Sequence, residues 1–425
     1  MNKLEKYNSP RITSEILECS MPLTFDQYSI CFFKCCYCFS QYIRGVGPAK
    51  KNYDERKVKA VDVEEIKKIF TFKKKAPYSD YIRRRIPMQW GGLSDPFCPL
   101  EERYGVGLEL MRFFNEIRYP LSFSSKGDLV LRDRRYLDEF KKAGDLWHYK
   151  ASIITMDEEK ARIVEKGVPS PKRRFEVLKK LNEVGTKTTL RMRPFIIGLT
   201  DRTLEDLIRN AKEAGCESAT TEFFCLDWRA VGRKETRQNY VDMSKAVGFD
   251  IVKFYLKFKG RYQGYVRLDY RIKKVWAEKF VDLCHKYGIK PVFSDVSFKG
   301  WTEGTSSCCG ILDSWDKLNN YAKMQYVKLV NIAKEKGFVT FDDAMEVGKD
   351  EKCFRQECKL ENFMNLGNNR KRGKMKRMSY WDYFLKGWDD LKWSNNIQNF
   401  LDGQVKAEGK DKNGHYVYFY NKKRK

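Results

Sequence analysis

The feature that most constrains the fold is a regular alternation of strand-like and helix-like segments through the middle of the chain. Short apolar segments, each followed by a helical pattern, occur at Ile86–Trp90, Leu121–Ser124, Lys150–Thr155, Thr188–Phe195 and Ser218–Phe224. This pattern is typical of βα units, whose strands form a parallel sheet with helices on both faces. The chain is therefore predicted to be an α/β protein.

Two helices of this region carry recognisable end signals. Ser170 and Pro171 are typical of an N-cap and a first turn, and Gly185 is typical of the C-terminal end of the same helix. Thr203 with Asp206 predicts a capping box at the start of the next helix. Both signals support helices between the predicted strands.

A compact group of cysteines precedes these units. Cys31, Cys35 and Cys38 have the spacing C-x3-C-x2-C. A [4Fe–4S] cluster normally takes four Cys thiolates, so three of them leave one iron open for another ligand. A structural zinc site is the alternative, but it takes four ligands, and His148 is far away in the sequence. Cys36 is interpreted as a spectator, with an alternative ligand as the other interpretation.

Tyr37 stands directly before the last Cys, and with this aromatic residue the segment resembles the signature of the radical S-adenosylmethionine (SAM) superfamily. The resemblance implies that SAM chelates the open iron and that Tyr37 lies near the adenine. It also implies a partial (β/α)6 barrel of the TIM type, with a C-terminal extension and with chemistry at the carboxyl ends of the strands. Enzymes of this kind cleave SAM reductively to a 5′-deoxyadenosyl radical, which abstracts hydrogen from a substrate.

Two turns resemble one branch of this superfamily more closely. Residues 94–97, Ser-Asp-Pro-Phe, and residues 123–126, Phe-Ser-Ser-Lys, are similar to segments of the spore photoproduct lyase branch. The resemblance implies that Gly91, Gly92 and Ser94 belong to a turn that meets the amino group of SAM, and that Lys126 pairs with its carboxylate. Paired glycines also let a backbone approach a ligand closely, with a plain tight turn as the alternative.

Polar residues on later strands complete the implied site. The resemblance extends over about residues 20–225 and places Ser152 and Arg191 against the ribose and methionine ends of the cofactor. Glu222, on the sixth strand, is a candidate for a hydrogen bond to substrate or cofactor. Each of these residues has an alternative interpretation as a polar residue whose hydrogen bonds are satisfied at a strand end.

One position departs from the lyase pattern. The lyase has a cysteine that returns a hydrogen atom just ahead of its second-strand turn, and this chain has Gly92 there. Cys98 is the nearest substitute and our candidate catalytic thiol, with a buried structural cysteine as the alternative. We therefore expect a related hydrogen abstraction, of lyase, isomerase or transferase class, rather than photoproduct repair as such.

The balance of charge bears on the partner. The chain has 83 Lys and Arg against 57 Asp and Glu, a formal net charge of +26. A surplus of this size is typical of proteins that bind a polyanion such as nucleic acid, with a lysine-rich genome as the alternative cause. No apolar run approaches the length of a membrane span, and 13 cysteines in 425 residues do not form a secreted disulfide pattern. We expect a reducing cytoplasm.

The C-terminal third contains further cysteines and a basic segment. Cys308, Cys309, Cys353 and Cys358 predict an auxiliary iron–sulfur cluster or zinc ion, with free thiols as the alternative. The basic run 368–377 is followed by aromatic residues including Phe384 and Trp388, a combination that suits single-stranded nucleic acid. Residues 415–420 alternate like an edge strand. We expect a lead-in at 1–19, the barrel at 20–300 and an extension at 301–425.

Two functions follow from this sequence. The first is a radical SAM enzyme that acts on a nucleic acid base, most naturally in DNA, for modification or repair. The second is a peptide- or protein-modifying maturase, in which an auxiliary C-terminal cluster is expected. In both, a reductant such as flavodoxin or ferredoxin supplies the electron.

Overall fold

The computed structural model describes residues 4–12, 20–41, 56–262, 265–320, 326–348 and 380–424. Contacts along the chain divide it into two compact units. The first unit comprises Met1–Ser9, Phe25–Lys67 and Gln89–Pro291, and the second comprises Pro10–Thr24, Lys68–Met88 and Val292–Lys425.

The strands are short in the N-terminal segments and longest in the middle of the chain. They are β1 (Glu5–Lys6), β2 (Arg11–Ile12), β3 (Leu23–Phe25), β4 (Lys34–Cys35), β5 (Lys59–Ala60), β6 (Met88–Trp90), β7 (Leu121–Ser125), β8 (Trp147–Ser152), β9 (Glu165–Lys166), β10 (Lys187–Phe195), β11 (Ser218–Phe223), β12 (Leu226–Asp227), β13 (Lys259–Tyr262), β14 (Tyr265–Leu268), β15 (Lys290–Phe293), β16 (Phe338–Val339), β17 (Val405–Lys410) and β18 (Tyr416–Tyr420).

Helices connect most of the longer strands. They are Val63–Phe70, Ser79–Arg83, Pro99–Tyr104, Val106–Glu116, Leu129–Arg132, Arg134–Ala143, Glu158–Val164, Pro171–Glu183, Leu204–Glu213, Trp228–Val231, Lys234–Val247, Ile251–Lys257, Tyr270–Lys286, Tyr326–Lys336, Phe341–Gly348, Tyr380–Asp389 and Ile397–Phe400.

The central sheet confirms the predicted α/β class. Seven parallel strands lie in the order β15-β11-β10-β8-β7-β6-β3, and β2 pairs with β3 in antiparallel orientation. Consecutive parallel strands need crossover connections, and the helices after β6, β7, β8, β10 and β11 provide them. Since all seven strands run in one direction, their carboxyl ends lie along one edge of the sheet.

The two faces of this sheet differ in chemistry, because successive side chains of a strand point to opposite faces. On β7 and β8, Phe123, Trp147 and Tyr149 lie on one face and are fully buried. They pack around Phe140 of the helix Arg134–Ala143, with ring centroids 5.0 to 5.8 Å from its own. This aromatic layer holds the helices on the sheet.

The intervening residues form a polar network on the opposite face. The Lys150 ammonium donates hydrogen bonds to the side-chain amide oxygen of Gln89 and, over 2.7 Å, to the Ser122 hydroxyl. Next to it, His148 Nε2 lies 3.3 Å from the Thr189 hydroxyl. Buried polar groups need such partners, since an unpaired group costs about 1–3 kcal/mol.

Of the two helix starts predicted from the sequence, one has the predicted capping hydrogen bond and the other does not. The Ser170 hydroxyl accepts a hydrogen bond from the Arg173 N–H at 3.3 Å, which confirms the predicted N-cap. The capping box at Thr203 and Asp206 was wrong. The Thr203 side chain makes no cap bond to its helix. Its hydroxyl instead accepts from the Met156 N–H at 3.0 Å, so a tertiary contact replaces the local one.

The second unit contains a small antiparallel sheet in the order β16-β18-β17. The prediction of an edge strand at residues 415–420 was wrong, because β18 is paired on both sides and occupies the centre. Phe384 and Trp388 are fully buried in the core beneath this sheet. They are therefore unavailable for stacking with bases, contrary to expectation. The basic run 368–377 lies outside the described residues.

Within the part of the chain described, no helix combines the length and apolar character that a membrane crossing requires.

Candidate active site

A short hairpin fixes the backbone of the cysteine segment. Strand β4 pairs with β9, which sets Cys35 opposite Glu165. The Cys36 N–H donates to the Val164 carbonyl at 2.8 Å, and the Cys38 N–H donates to the Cys35 carbonyl at 3.1 Å. The loop is thus held in a tight turn by its own backbone and by the hairpin partner.

Cys36 is directed away from the other three thiols. Its sulfur lies 3.6 Å from the Ile163 carbonyl oxygen and 3.9 Å from the Asp242 carboxylate. Burial, more than the nearby carboxylate, raises the pKa of the Cys36 thiol to about 12. These contacts agree with the interpretation of Cys36 as a spectator.

The remaining three thiols share one environment with a lysine. Burial raises the pKa of Cys35 well above its usual value, and the nearby sulfurs of Cys38 and Cys31 raise it further. Burial and then the Cys31 sulfur raise the pKa of Cys38. The Lys126 ammonium acts in the opposite sense on both Cys35 and Cys38. The sequence-predicted ligands and the predicted carboxylate partner therefore lie close enough to interact electrostatically.

Cys98 also belongs to this group. A hydrogen bond between the Cys98 and Cys31 thiols is the main cause of the raised pKa of Cys31, ahead of burial. Cys98 is itself fully buried and directly precedes the helix Pro99–Tyr104. The substitute thiol suggested by the sequence is thus in contact with one of the three predicted ligands.

The position of Lys126 depends on a partly buried carboxylate that the sequence analysis did not single out. Asp95 accepts hydrogen bonds from the Lys126 N–H and from the Ser125 hydroxyl, both at 2.6 Å. Burial raises the pKa of Asp95, although these hydrogen bonds oppose the shift. The Lys126 ammonium lies 5.7 Å from the centroid of the Tyr37 ring, within the range of a cation–π contact.

A buried ion pair fixes Tyr37, and this pair was also missed. The Tyr37 hydroxyl donates to Glu165, whose other carboxylate oxygen lies 2.6 Å from Arg174. Both side chains of the ion pair are only 1% exposed. Arg174 also donates to the Ser152 carbonyl at 2.6 Å, at the end of β8. Glu165 and Arg174 stand in a segment that resembles the lyase, which was the available signal.

The glycine turn after β6 approaches its neighbour closely. Gly91 has a φ of +93°, and a Cβ at this position would lie 2.4 Å from the Ser124 carbonyl oxygen. No other residue fits without displacing the backbone. Gly92 follows in the same turn.

Asp26 and Ser40 hold the second half of this turn. The Asp26 carboxylate accepts from the N–H groups of Leu93 and Ser94, both at 2.8 Å. Ser40, two residues after Cys38, donates to the Leu93 carbonyl at 2.7 Å and so joins the turn to the cysteine loop. The hydroxyl of Ser94 is buried and donates to the Tyr28 carbonyl at 3.1 Å, so this side chain is already engaged in the fold.

The predicted polar residues of later strands occupy two adjacent pairs. Arg191 of β10 stands opposite Ser152 of β8, with 3.5 Å between its guanidinium and the Ser152 hydroxyl. Glu222 of β11 forms an ion pair with Arg193 of β10, and both side chains are partly exposed. Ser152 and Arg191 are thus brought together, and Glu222 has a cationic partner.

The donor set suits a cluster better than a single ion. Among the described residues, no group of three or more His, Cys, Asp and Glu side chains could hold one metal ion. A [4Fe–4S] cluster does not need its ligands to converge on one ion, because each thiolate binds its own iron atom. One buried and two partly buried thiols of one short loop, with Cys36 turned away, could each bind one iron atom of such a cluster.

The second predicted metal site cannot be assembled from the described residues alone, since Cys353 and Cys358 lie outside them. The Cys308 carbonyl accepts a hydrogen bond from Ser294, and Cys309 packs beside a small apolar cluster in the second unit. An auxiliary cluster or zinc ion therefore stays a prediction.

Part of the chain matches the model of a known family. Residues 99–211 match the model of the Radical SAM superfamily. Spore photoproduct lyase in complex with dinucleoside spore photoproduct superposes with a TM-score of 0.50 at 17% identity, covering 68% of this chain and 81% of the lyase. A mutant of the same enzyme gives a TM-score of 0.50 at 16% identity over the same shares of both chains. At this identity the likeness concerns the fold.

Among curated sequences, the uncharacterized protein ORF301 of Acidianus two-tailed virus is 29% identical over 121 residues. This match takes in 28% of the present chain and 38% of the viral protein, so the chain spans well under half the length of that relative. The family match and the lyase fold confirm the resemblance stated from the sequence.

Proposed function

We propose that this chain, whose residues 99–211 match the model of the Radical SAM superfamily, is an enzyme that binds a [4Fe–4S] cluster and SAM and abstracts hydrogen from a nucleic acid base. The observation that carries the proposal is that the thiols of one short loop lie close to the Lys126 ammonium, which lies beside the Tyr37 ring. When bound, the cluster and SAM supply a carbon radical that takes a hydrogen atom from the substrate.

Cys31, Cys35 and Cys38 are the proposed cluster ligands. Metal binding requires thiolates, whereas burial favours the protonated form of each thiol. The Lys126 ammonium offsets part of this cost for two of them. We therefore expect cluster assembly to release protons and to become more favourable as pH rises.

The residues around the thiols suit the parts of SAM. Lys126 is proposed to pair with the SAM carboxylate, because its backbone is held by Asp95 and its ammonium lies beside the thiols. The Gly91-Gly92 turn is proposed to offer its backbone to the amino group, and Tyr37 to lie against the adenine. Ser152 and Arg191 are proposed to contact the remainder of SAM, and Glu222 a substrate hydroxyl or amide.

Cys98 is proposed as the hydrogen-atom donor that completes the reaction. Its S–H bond breaks as a hydrogen atom passes to the product radical, which leaves a sulfur radical on Cys98. The reductant that feeds the cluster, a flavodoxin- or ferredoxin-type protein, would supply the electron that restores the thiol, with a proton from solvent. The contact with Cys31 supports this role, because it places Cys98 within the group of thiols.

A nucleic acid base is the proposed substrate. The net charge of +26 favours a polyanion, and spore photoproduct lyase, whose fold this chain shares, has a solved structure in complex with dinucleoside spore photoproduct. A base must leave the stack to reach a buried site, at a cost of a few kcal/mol. Phosphate contacts by Lys and Arg can offset this cost.

The test is anaerobic reconstitution with iron and sulfide, followed by reduction with dithionite in the presence of SAM. We expect 5′-deoxyadenosine to form, and to increase when DNA is added. Cys38→Ala should abolish its formation, whereas Cys284→Ala, which removes a buried thiol from the helix Tyr270–Lys286, should not. Absence of 5′-deoxyadenosine from reconstituted wild-type protein would overturn the proposal.

A further inference from the structure

The small sheet of the second unit exposes two phenylalanines side by side. Phe338 of β16 and Phe419 of β18 are directly paired across the sheet, with ring centroids 5.7 Å apart. They are 38% and 36% exposed. The next residue pair, Val339 and Tyr418, points to the opposite face and is fully buried. The core of this unit therefore uses one face of the sheet and leaves the two rings on the other.

A lysine continues the same row. Lys406 of β17 is paired with Phe419 on the side opposite Phe338, and it is exposed. The solvent face of the sheet thus presents ring, ring and cation across its three strands. We call Phe338, Phe419 and Lys406 the aromatic row.

Further lysines lie on the strands of the aromatic row and on the segments next to them. The exposed lysines between residues 405 and 423 are Lys406, Lys410, Lys412, Lys422 and Lys423. The carboxylates in the same interval are Glu408 and Asp411. Asp411 accepts hydrogen bonds from the N–H groups of Asn413 and His415 at 2.8 and 3.0 Å, so its carboxylate serves the hairpin turn. The surface around the rings is therefore positive.

Two exposed apolar rings side by side favour a partner that covers them, because covering them removes apolar surface from water. Aromatic side chains beside lysines match single-stranded nucleic acid, whose bases stack on rings while its phosphates meet cations. A protein partner that docks on an apolar surface would not require the excess of lysine near the aromatic row.

We propose that the aromatic row is a base-stacking platform that holds single-stranded or unpaired nucleic acid on the second unit. The inference deepens the proposed function, on which it rests for its ligand class, because a base extracted for radical chemistry needs a strand that is held unpaired. The stacking site and the cysteine site have no described residue in common, so each can be tested without the other.

The test is binding of a fluorescently labelled oligothymidylate of about 12 nucleotides to the full-length reconstituted protein, followed by anisotropy. Phe419→Leu keeps an apolar side chain but removes the ring, and we expect it to weaken binding about 5- to 150-fold, as expected for one stacked base. Phe419→Trp keeps a ring and should bind within about twofold of wild type. Lys406→Glu should weaken binding and reduce its salt dependence, whereas Lys253→Glu, an exposed lysine of the first unit, should change neither.

Equal binding by the Leu and Trp variants would overturn the proposal. A wild-type dimer in sedimentation that dissociates in Phe419→Leu would overturn it too, since a second copy would then be the occupant. Formation of 5′-deoxyadenosine without nucleic acid should be unchanged in all these variants. Its absence from wild type, with stacking intact, would instead refute the proposed chemistry.

Discussion

The two faces of the central sheet differ in chemistry, because one is aromatic and the other is polar. On β8, Trp147 and Tyr149 are packed among aromatic rings, whereas His148 and Lys150 lie in a polar network on the opposite face. A single strand thus serves packing and polar chemistry at alternate positions, because its side chains point alternately to the two faces. The aromatic face packs against the helix Arg134–Ala143, whereas the opposite face holds a network of buried polar groups.

The largest effect is expected from the aromatic face. Phe123→Ala should lower the free energy of unfolding by about 3–5 kcal/mol, since its ring packs 5.0 Å from Phe140 and leaves a cavity when removed. Ser122→Ala, the adjacent residue on the polar face, removes one acceptor of Lys150 and should cost about 1 kcal/mol. Urea unfolding measures both. Similar losses of unfolding free energy in the two variants would refute the claim that the aromatic face contributes more to stability than the polar face.

The strand ends should be nearly as sensitive where a buried charge is involved. Arg174→Met leaves Glu165 as an unpaired buried carboxylate, at a cost of about 3–5 kcal/mol. Arg173→Met provides the control, because the Arg173 side chain is itself partly exposed, its pair with Glu176 is exposed and worth about 0–1 kcal/mol, and its other partner, Asp128, keeps an ion pair with Arg132. Thermal unfolding of the two variants tests the contrast. An Arg174→Met protein as stable as wild type would show that this pair is dispensable for the site.

A smaller effect, confined to function, is expected at Lys126. Lys126→Met should weaken SAM binding about 10- to 150-fold, because it removes a charge-assisted hydrogen bond worth about 1.5–3 kcal/mol. The unfolding free energy should change little. Lys179→Met removes an exposed lysine of the helix Pro171–Glu183 and should leave SAM affinity unchanged. Calorimetric titration of the reconstituted variants decides the matter, and unaltered affinity in Lys126→Met would remove this residue from the site.

The smallest effect is a pH dependence of stability from the polar face. Burial, followed by the charges of Lys150 and Lys187, holds the pKa of His148 well below its usual value. As pH falls below about 6.5, the His148 imidazole takes up a proton in the unfolded chain but stays neutral in the folded chain. The contribution of His148 to the free energy of unfolding is therefore fully present above that pH. It is lost as pH falls, by up to about 1.4 kcal/mol per pH unit.

The variant His148→Gln should flatten this dependence, whereas His285→Gln, on an exposed helix end, should preserve it. Urea midpoints between about pH 7.5 and 5 provide the measurement. An identical slope in wild type and His148→Gln would assign the pH dependence to other groups.

Much of the fold could be predicted from local pattern. The strands predicted at Leu121–Ser124 and Ser218–Phe224 are found at Leu121–Ser125 and Ser218–Phe223. The segment predicted at Lys150–Thr155 was displaced, since β8 covers Trp147–Ser152. Strand β8 alternates aromatic and polar residues and contains no continuous apolar run, so its start at Trp147 was not recognised from the sequence.

The three cysteines, their spacing and the aromatic residue between them were determined by the sequence alone, because they lie within eight consecutive residues of one loop. The sequence likewise determined the order of strands and helices, since hydrophobic periodicity is a local property. Only the tertiary structure decided which side chains surround the cysteine loop. Asp95, Arg174 and Cys98 are separated from it by scores of residues, and they meet it because parallel strands end at a common edge.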